Sequence, residues 1–259
     1  MMGITPLEVR EYRPEDRDGV RRLCVDVAVF GKPLSTWLDL DPEAYADIFT
    51  SYYTDYKPEG LFVAESRGQV VAYLAICRDT NEYRRIVNFR ILPKVIAKIL
   101  FGYYQLGGRV LQVGYYYFLE NIKYGRMLLP LKDYPAHFHL NVAEEFRRDR
   151  RIWMKLVPLA FKYAHNNGIS RMHGLGISKR GEVEQTYSNV GFKILARQPS
   201  LIRQNITREE VFWLLIGTDL NKWVENLPPG FQRLFKEVQG LGEVWEKNEE
   251  LERKELAAK

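Results

Sequence analysis

Two strand-like runs joined by a tight turn constrain this chain most. Leu61–Glu65 reads LFVAE and Gln69–Cys77 reads QVVAYLAIC, with Ser66-Arg67-Gly68 between them. Apolar and β-branched runs on either side of a short glycine-containing turn are typical of an antiparallel hairpin with buried strands. The chain should therefore fold around a central sheet that is antiparallel in at least one part.

Further strands and helices precede this hairpin. Leu7–Tyr12 alternates apolar and polar residues as an edge strand does, and Pro14 then opens a helix with acidic residues in its first turn. An apolar stripe continues that helix to Gly31, a plausible stop. A second helix is predicted from about Pro42 to Tyr53, because its large apolar residues recur at helical spacing.

A strand and a long helix are predicted in the second half of the chain. The strand is Ala136–Val142. The helix should begin at an Asp149 N-cap and run to Asn167, with Gly168 as its C-terminal signal. Pro158 lies inside this helix and removes one backbone hydrogen bond, so a kink or a bulge is predicted there.

The remaining pattern completes a mixed sheet. Its elements are a strand at Ser170–Ser178, a short helix at Glu182–Asn189, and strands at Phe192–Gln198 and Val211–Gly217. The predicted fold class is α/β (α+β), with a mixed, mostly antiparallel central sheet flanked by helices. We assign residues 1–220 to this domain. Residues 221–259, which contain Pro228-Pro229 and a terminal run of charges, are assigned to a C-terminal helical appendage.

Composition excludes several classes of protein. The chain has 259 residues, 46% of them hydrophobic, which excludes wholesale disorder and allows a sizeable core. Cys24 and Cys77 cannot build a disulfide framework or a zinc quartet, which favours a reducing compartment. The longest uncharged stretches have about ten residues, against the roughly 18 needed to span a bilayer, and no signal peptide is readable. We therefore expect a cytoplasmic protein.

The positive charge is concentrated in one segment. The formal net charge is +5, from 38 basic and 33 acidic residues. Between Tyr83 and Met127, eight Lys and Arg residues stand against Glu120 alone, interleaved with ten aromatic residues. Such a segment can bind single-stranded nucleic acid or an anionic membrane surface. We favour a helical insert, about residues 80–133, whose aromatic residues lie in the core and whose basic residues are solvated. Nucleic acid is then not an expected partner, whereas peripheral membrane contact stays open.

Two motifs and the order of elements resemble the GNAT superfamily of N-acetyltransferases. Tyr187-Ser-Asn-Val-Gly-Phe192 is similar to the family's Tyr-x-x-x-Gly-Phe signature, and His137–Arg147 is similar to its strand and entry to the cofactor loop. Tyr52–Glu59 and the hairpin after it resemble bacterial acetyltransferases related to the acetyltransferase-like domain of O-GlcNAcase. The resemblance covers about Leu7 to Asp219. It implies direct transfer of an acetyl group from acetyl-CoA to an amine, without a covalent acyl-enzyme.

This chemistry needs a neutral amine, a donor for the developing oxyanion and a proton for the departing thiolate. At the position of the family's tyrosine, Tyr187 would direct its hydroxyl at the coenzyme sulfur and donate that proton. The alternative for Tyr187 is a packing role under the sheet. The oxyanion donor would be a backbone N–H where the strand ends, near Val142 or Ala143.

Two histidines are candidates for the base. His137 and His139 share one face of their strand, because side chains two residues apart point to the same side. Either could take a proton from an amine directly or through water, or could be a satisfied structural residue, as strand histidines more often are. No metal site is expected. The resemblance alone implies an acceptor site with Tyr53, Asp55, Tyr56 and Glu59.

The cofactor loop departs from the family's pattern. Where relatives have Gln/Arg-x-x-Gly-x-Gly/Ala, this chain has Arg147-Arg-Asp-Arg-Arg-Ile152, and only the first arginine is kept. Glycines suit that loop because phosphates approach its backbone closely at a helix N-terminus. In one interpretation Arg148, Arg150 and Arg151 turn outward and grip the coenzyme phosphates. In the other, the larger side chains fill the groove and coenzyme binding is lost.

The sequence thus predicts an acetyl-CoA-dependent N-acetyltransferase that acts on an unidentified amine, either a small molecule or a peptide. The basic insert would form a lid or a wall of the acceptor site. The alternative is a non-catalytic GNAT-fold module that binds a protein, an anionic membrane surface or nucleic acid. A homodimer also stays open, because a partner could cover the last strand, Val211–Gly217.

Overall fold

A central sheet of seven strands organises the molecule. The computed structural model describes residues 7–28, 32–36, 38–124, 129–179, 187–188, 191–220 and 222–223. The strands are β1 Glu8–Glu11, β2 Leu61–Ser66, β3 Gln69–Cys77, β4 Ala136–Val142, β5 Arg171–Lys179, β6 Lys193–Pro199 and β7 Val211–Asp219. Their order in the sheet is β1-β2-β3-β4-β5-β7-β6. β4 and β5 run parallel and the other neighbouring pairs antiparallel, which confirms the predicted sheet.

Helices cover both faces of this sheet. They are α1 Arg17–Asp26, α2 Pro42–Ser51, α3 Thr80–Ile86, α4 Leu92–Leu100, α5 Gly108–Tyr124, α6 Arg150–Asn166 and α7 Leu201–Thr207. Helix α6 packs over β1, β2 and β3 on one face, and α1 packs on the other with α2 beside it. The two predicted N-terminal helices are confirmed, and a π-helical turn at Tyr52–Tyr56 continues α2.

The β2–β3 hairpin divides the core into two layers. Its turn holds Arg67 at φ 52° and Gly68 at φ 74°, and positive φ at both residues is what a tight hairpin turn requires. Phe62 pairs with Leu74, and both side chains join the core under α6. The adjacent Val63 joins the core under α1, because successive strand residues point to opposite faces.

Helix α6 begins and ends as the sequence predicts. The Asp149 carboxylate caps it by accepting a hydrogen bond from the N–H of Arg151 at 2.9 Å. Gly168 follows its last turn with φ 71°. The α-helix continues through Pro158, so no bulge forms there. The buried neighbours Val157 and Ala160 hold this stretch in the core, and that packing outweighs the one lost hydrogen bond.

The basic insert is helical, as predicted, but several of its aromatic residues do not lie in the core. Helices α3, α4 and α5 occupy residues 80–124. Phe89, Phe101, Tyr103 and Phe118 each expose more than half of their side-chain surface. The expectation of core aromatics is wrong for these residues, because the insert meets the domain along one side, with α4 beside α2 and α5 beside α7.

Glu120 anchors α5 to the domain. Its buried carboxylate accepts hydrogen bonds from Trp213 Nε1 at 3.0 Å and from the Ile202 N–H at 3.4 Å. Trp213 lies on β7, whose next residue, Leu214, joins the core under α6. Trp213 therefore faces the opposite side of the sheet, so α5 covers the same face as α1 and α2.

Strand β7 lies inside the sheet, between β5 and β6. Its own chain covers both of its edges, so an uncovered last strand no longer supports a homodimer. Helix α7, which connects β6 to β7, was not predicted. The sequence signals its start only through Ser200, whose hydroxyl accepts a hydrogen bond from the Arg203 N–H. The helix has seven residues, which are too few to show a helical period in the sequence.

The first helix ends before the predicted stop at Gly31: α1 ends at Asp26, because Val27 leaves the helical conformation with ψ 15°. Two predictions lie outside the described residues. They are most of the short helix at Glu182–Asn189 and the appendage from residue 224 onward. Tyr187 and Ser188 are described, and both are helical. Within the described residues, no helix has the length and apolar character that crossing a bilayer requires.

Candidate active site

The two parallel strands at the centre of the sheet separate after a short paired stretch. Ala136 pairs with Met172 and His137 with His173, and pairing between β4 and β5 ends there. β4 then continues to Val142 beside β3, while β5 continues beside β7. A cleft therefore opens between β4 and β5, and the backbone edges that line it are unpaired with each other.

The end of β4 directs one backbone amide into this cleft. The N–H of Ala143 donates to the carbonyl oxygen of Val71 on β3 at 2.8 Å. Successive residues of an antiparallel strand direct their N–H groups to opposite sides, so the N–H of Val142 points away from β3 and toward β5. Of the two predicted oxyanion donors, Val142 faces the cleft. The N–H of Ala143 is already used, which removes it from that role.

Tyr187 lies against β5 on the α6 side of the cleft. A Cβ placed on Gly176 would come within 2.4 Å of the Tyr187 hydroxyl, so the phenol rests directly on that glycine. The backbone N–H of Ile177 donates to the hydroxyl, which lowers the pKa of the phenol, but burial outweighs this effect and the pKa is raised. The phenol therefore keeps its proton at neutral pH and can act as a donor.

A second glycine on β5 accommodates another ring, a feature that the sequence analysis missed. A Cβ on Gly174 would come within 2.5 Å of the Phe138 ring, which stacks on Phe192 with ring centroids 5.2 Å apart. Gly174 and Gly176 thus both lie under aromatic rings that line the cleft. The sequence contained a signal for this feature. Glycines at alternate positions of a buried strand indicate that another group packs closely against one face of that strand.

His137 is a fully hydrogen-bonded histidine. The Thr80 hydroxyl donates to the carbonyl oxygen of Pro135 at 2.7 Å and so accepts from His137 Nδ1 at 2.9 Å. Nε2 then accepts from the Tyr53 hydroxyl, also at 2.9 Å. Burial, assisted by the neighbouring His173, lowers the pKa of His137 to about 3. Both ring nitrogens are occupied, so of its two predicted roles the structure favours the structural one.

His139 differs from His137 in having its ring nitrogens unoccupied. The ring lies among aromatic residues, with centroids 6.1 Å from Tyr53 and 5.6 Å from Tyr73, and makes no hydrogen bond to another described residue. Burial lowers its pKa to about 4, so the imidazole is neutral at pH 7 and can accept a proton. It projects from β4 on the face that α1, α2 and the basic insert cover.

The predicted acceptor carboxylates lie away from the cleft. Asp55 and Glu59 line a surface pocket of about 500 Å³ beside the end of β1, and β2 and β3 separate β1 from β4. Asp55 is held by Arg17 through hydrogen bonds of 2.7 and 3.0 Å. Tyr56 accepts a hydrogen bond from Lys94 Nζ at 3.2 Å. The structure therefore does not join Asp55 and Glu59 to Tyr53, which reaches β4, whereas Tyr56 packs against the core cluster that contains Tyr53.

A further cavity lies at the paired end of β4 and β5. It has a volume of about 360 Å³ and is lined by residues that include Ala136, Arg171 and Asn167. Glu59 also lines it. Because Ala136 and Arg171 begin their strands, this cavity is at the opposite end from the cleft and does not contain the Val142 amide or the Tyr187 hydroxyl.

The arginine run at the start of α6 divides into paired and exposed side chains. Arg151 folds back onto the capping Asp149, with Nη2 2.5 Å from a carboxylate oxygen, and this hydrogen bonding lowers the pKa of Asp149. Arg147 pairs with Glu144 at 3.0 Å. The Arg151 guanidinium, which one interpretation of the sequence turns outward to grip phosphate, is thus paired at the surface with the cap carboxylate.

The other residues of this run do not place an arginine side chain in the cleft, and none of them is a glycine that would let phosphate approach the backbone. Arg148 and Arg150 are exposed and form no ion pair with another described residue. Ile152 is 1% exposed and belongs to the core under α6, so this residue offers no surface to a ligand. The loop thus has two free guanidinium groups where relatives would offer close access to the backbone.

Comparison with solved structures identifies the fold. The crystal structure of SsHAT superposes with a TM-score of 0.60 and 22% identity over 83% of this chain and 98% of that chain. This chain has the fold of the GNAT acetyltransferases. An acetyltransferase of the GNAT family from Streptococcus pneumoniae superposes at 0.45 with 13% identity over 83% and 99% of the two chains. No protein-family model matches the sequence, and no curated protein matches it.

The groups that the site contains can be placed relative to the two separated strands of this fold. The Val142 N–H and the Tyr187 hydroxyl both lie at the opening between the separated strands, and His139 lies on the other face of β4 from the Tyr187 side. The arginine run, residues 147–152, lies at the start of α6.

Proposed function

We propose that this chain is an acetyl-CoA-dependent N-acetyltransferase that transfers an acetyl group directly to an amine. One observation carries the proposal: the separated ends of β4 and β5 bring two groups to the same cleft. They are the backbone N–H of Val142, which donates to no other described residue, and the protonated phenol of Tyr187. Acetyl transfer from a thioester needs a hydrogen-bond donor at the carbonyl oxygen and an acid at the sulfur. These two groups supply that pair.

The residues around the cleft fit acetyl-CoA, which when bound would supply the acetyl group as a thioester. The Val142 N–H would hold its carbonyl oxygen. Arg148 and Arg150 would hold its phosphates as exposed guanidinium groups, which bind phosphate oxygens in pairs. Asp149 and the missing glycines oppose backbone contact with phosphate at the start of α6. Side chains therefore replace the loop backbone in this proposal.

Tyr187 acts as the general acid. Its raised pKa keeps the phenol protonated at neutral pH, and its hydroxyl lies on Gly176 without a side chain between them. A leaving thiolate in the cleft would take this proton. The hydrogen bond from the Ile177 N–H would then stabilise the resulting phenolate, so the same backbone contact serves both protonation states.

His139 acts as the base on the opposite face of β4. Its ring nitrogens are free of other described residues, and its depressed pKa keeps it neutral and able to accept a proton. His137 and Tyr53 position this region through their hydrogen bond, and neither takes a proton from substrate. The acceptor amine would approach from the face that the basic insert covers, which supports the insert as a wall of the acceptor site.

Two finer assignments accompany this proposal. Cys24 and Cys77 are both free thiols in the core, which supports a reducing, cytoplasmic location. The narrower resemblance to bacterial acetyltransferases related to the acetyltransferase-like domain of O-GlcNAcase stays a proposal from the sequence. A homodimer remains a prediction.

Calorimetric titration of the full chain with acetyl-CoA tests the proposal. We expect saturable heat from acetyl-CoA binding with the unaltered protein. The Tyr187→Phe variant should give it as well, because the phenol acts on the leaving group during the reaction and not in binding. Turnover with a panel of primary amines should fall about 100-fold in Tyr187→Phe, the lower range for loss of a general acid. Tyr163→Phe, near the C-terminal end of α6 and away from the cleft, is the matched control and should keep full turnover. The absence of heat at millimolar acetyl-CoA would overturn the proposal.

A further inference from the structure

The outer side of α5 is an exposed apolar stripe. Leu111, Tyr115, Phe118 and Ile122 recur at intervals of four, three and four residues, which places them on one face of the helix. Their side chains are 79, 59, 61 and 66% exposed. The opposite side of the helix carries Glu120, which is buried. The helix is therefore amphipathic with its apolar face turned to solvent, the reverse of the usual arrangement.

The segment around α4 repeats this pattern. Phe89, Ile96 and Leu100 are spaced seven and four residues apart and are 78, 53 and 79% exposed. Phe101 follows directly and is equally exposed. The buried residue of this helix is Val95, on the side that meets α2. Two successive helices thus each expose several large apolar side chains, which is uncommon on a monomeric domain and marks a binding surface.

The charge around these stripes is of one sign. From Tyr83 to Tyr124 the sequence contains seven Lys and Arg residues and a single carboxylate, Glu120. That carboxylate is buried against Trp213 and the Ile202 N–H. Of the seven basic side chains, Lys98 pairs with Asp47 on α2, and the other six form no ion pair with a described residue. The exposed surface of the insert between Tyr83 and Tyr124 thus carries unpaired basic side chains and no acidic one.

Exposed aliphatic and aromatic residues flanked by Lys and Arg form the pattern of helices that lie in the surface of an anionic bilayer. A second copy of the chain would bring the same positive charge to the contact, which opposes association. Single-stranded nucleic acid would stack on the aromatic rings but would leave aliphatic residues such as Ile96, Leu100 and Leu111 without partners. We infer that the outer face of the basic insert, α4 and α5, docks on an anionic lipid bilayer.

This docking goes beyond the proposed acetyl transfer and does not depend on it. The anchoring of α5 through Glu120 places the insert on the same face of the sheet as His139. A docked protein would therefore have the proposed acceptor side of the cleft on its membrane-facing half. Docking would persist in a protein that failed to bind acetyl-CoA, so the two proposals fail separately.

Flotation of the full chain with lipid vesicles tests the inference. We expect it to float with vesicles of phosphatidylcholine and phosphatidylglycerol, and not with phosphatidylcholine alone. Added salt should weaken the binding, because screening acts on the basic side chains. The double variant Leu111→Asp with Phe118→Asp changes two exposed side chains and should abolish flotation.

Two charge reversals distinguish a local contribution of the insert to vesicle binding from the effect of the protein's net charge. Lys123→Glu on α5 and Lys155→Glu on the exposed side of α6 alter the net charge equally. Lys123→Glu should weaken vesicle binding at least about fivefold, since it removes the contribution of one basic residue near an anionic surface, and Lys155→Glu should not. This comparison stands even if the double variant fails to fold.

Three results would overturn the inference. One is failure to float with the anionic vesicles at low salt. Another is an equal loss of binding in Lys123→Glu and Lys155→Glu, which would assign the effect to net charge alone. The third is a protein that does not bind vesicles but binds a single-stranded oligonucleotide tightly, with the double aspartate variant losing that binding. This result would assign the surface to nucleic acid.

Discussion

The Tyr53 hydroxyl holds the His137 ring in one orientation, 2.9 Å from Nε2. On the other side of the ring, Thr80 accepts from Nδ1 at the same distance. The imidazole cannot turn without losing a hydrogen bond in a buried environment. Because Tyr53 belongs to the π-helical turn after α2, this contact ties that turn to the beginning of β4, just before the strands separate.

Tyr53→Phe should therefore destabilise the fold while preserving the ring packing. The change leaves Nε2 of His137 without its donor, and an unsatisfied buried polar atom costs about 1–3 kcal/mol. Urea unfolding followed by fluorescence measures the loss. Tyr12→Phe is the control, since the Tyr12 hydroxyl lies 3.5 Å from its nearest acceptor, the Thr54 carbonyl oxygen, and should change the free energy of unfolding by about 0.5 kcal/mol or less. Equal losses in both variants would contradict the assigned hydrogen bond.

Acid should destabilise the protein before its carboxylates titrate. The pKa values of His137 and His139 are about 3 and 4 when folded, against about 6.5 in the unfolded chain. Between about pH 6.5 and pH 4 the unfolded state therefore binds more protons, so the free energy of unfolding falls as pH falls. We expect a slope of at least about 1 kcal/mol per pH unit in that window.

Variants of two histidines distinguish this cause from others. His139→Gln should reduce the slope of stability against pH by about half between pH 6 and about pH 4.5, since His137 still contributes. His165→Gln changes an exposed histidine on α6 and should leave the slope unchanged. A slope that both variants preserve would show that other groups control acid unfolding.

Gly176→Ala should impair catalysis through Tyr187. The new Cβ would come within 2.4 Å of the phenol oxygen, so the ring has to move away from β5. We expect turnover to fall at least about tenfold. In a Tyr187→Phe background the same substitution should cause little further loss, because the group it displaces no longer acts. Additive losses in the double variant would indicate that Gly176→Ala acts by another route.

Asp149→Asn should strengthen coenzyme binding. Asparagine caps a helix about as well as aspartate, so α6 should keep its start. The substitution removes a negative charge from the proposed phosphate site and releases the Arg151 guanidinium from its carboxylate partner. Calorimetry should show a several-fold lower dissociation constant for acetyl-CoA. Glu145→Gln removes a nearby exposed charge and serves as the control, with a smaller effect expected.

Much of the fold could be predicted because its signals are local. The hairpin turn at Arg67-Gly68 needs positive φ, and the N-cap at Asp149 needs a side-chain acceptor, so each is visible within a few residues. The strand pattern at Ala136–Val142 was equally readable. Helix α7 was missed because its residues lack a clear period and its packing partner, α5, is about 90 positions earlier in the sequence.

The site was harder to predict because its geometry depends on distant partners. His137 and His139 are equivalent by strand spacing, and only contacts with Tyr53 and Thr80 distinguish them. The partner of the Arg151 guanidinium could not be predicted either. Both the capping carboxylate of Asp149 and a phosphate ligand suit an arginine, and residue type alone does not decide between them. The aromatic residues of the basic insert were assigned to the core by their chemistry, but whether a helix face is covered depends on how the insert lies on the domain.

The position of β7 in the sheet has a consequence for synthesis of the protein. β5 has only two paired positions with β4, and its long partner is β7, which ends at Asp219. As the chain emerges from the ribosome, β1 to β4 can assemble from early segments, while β5 keeps one edge unpaired until the last strand is translated. The nascent chain would thus expose an open strand edge late in translation, and the cleft would take shape as the final step.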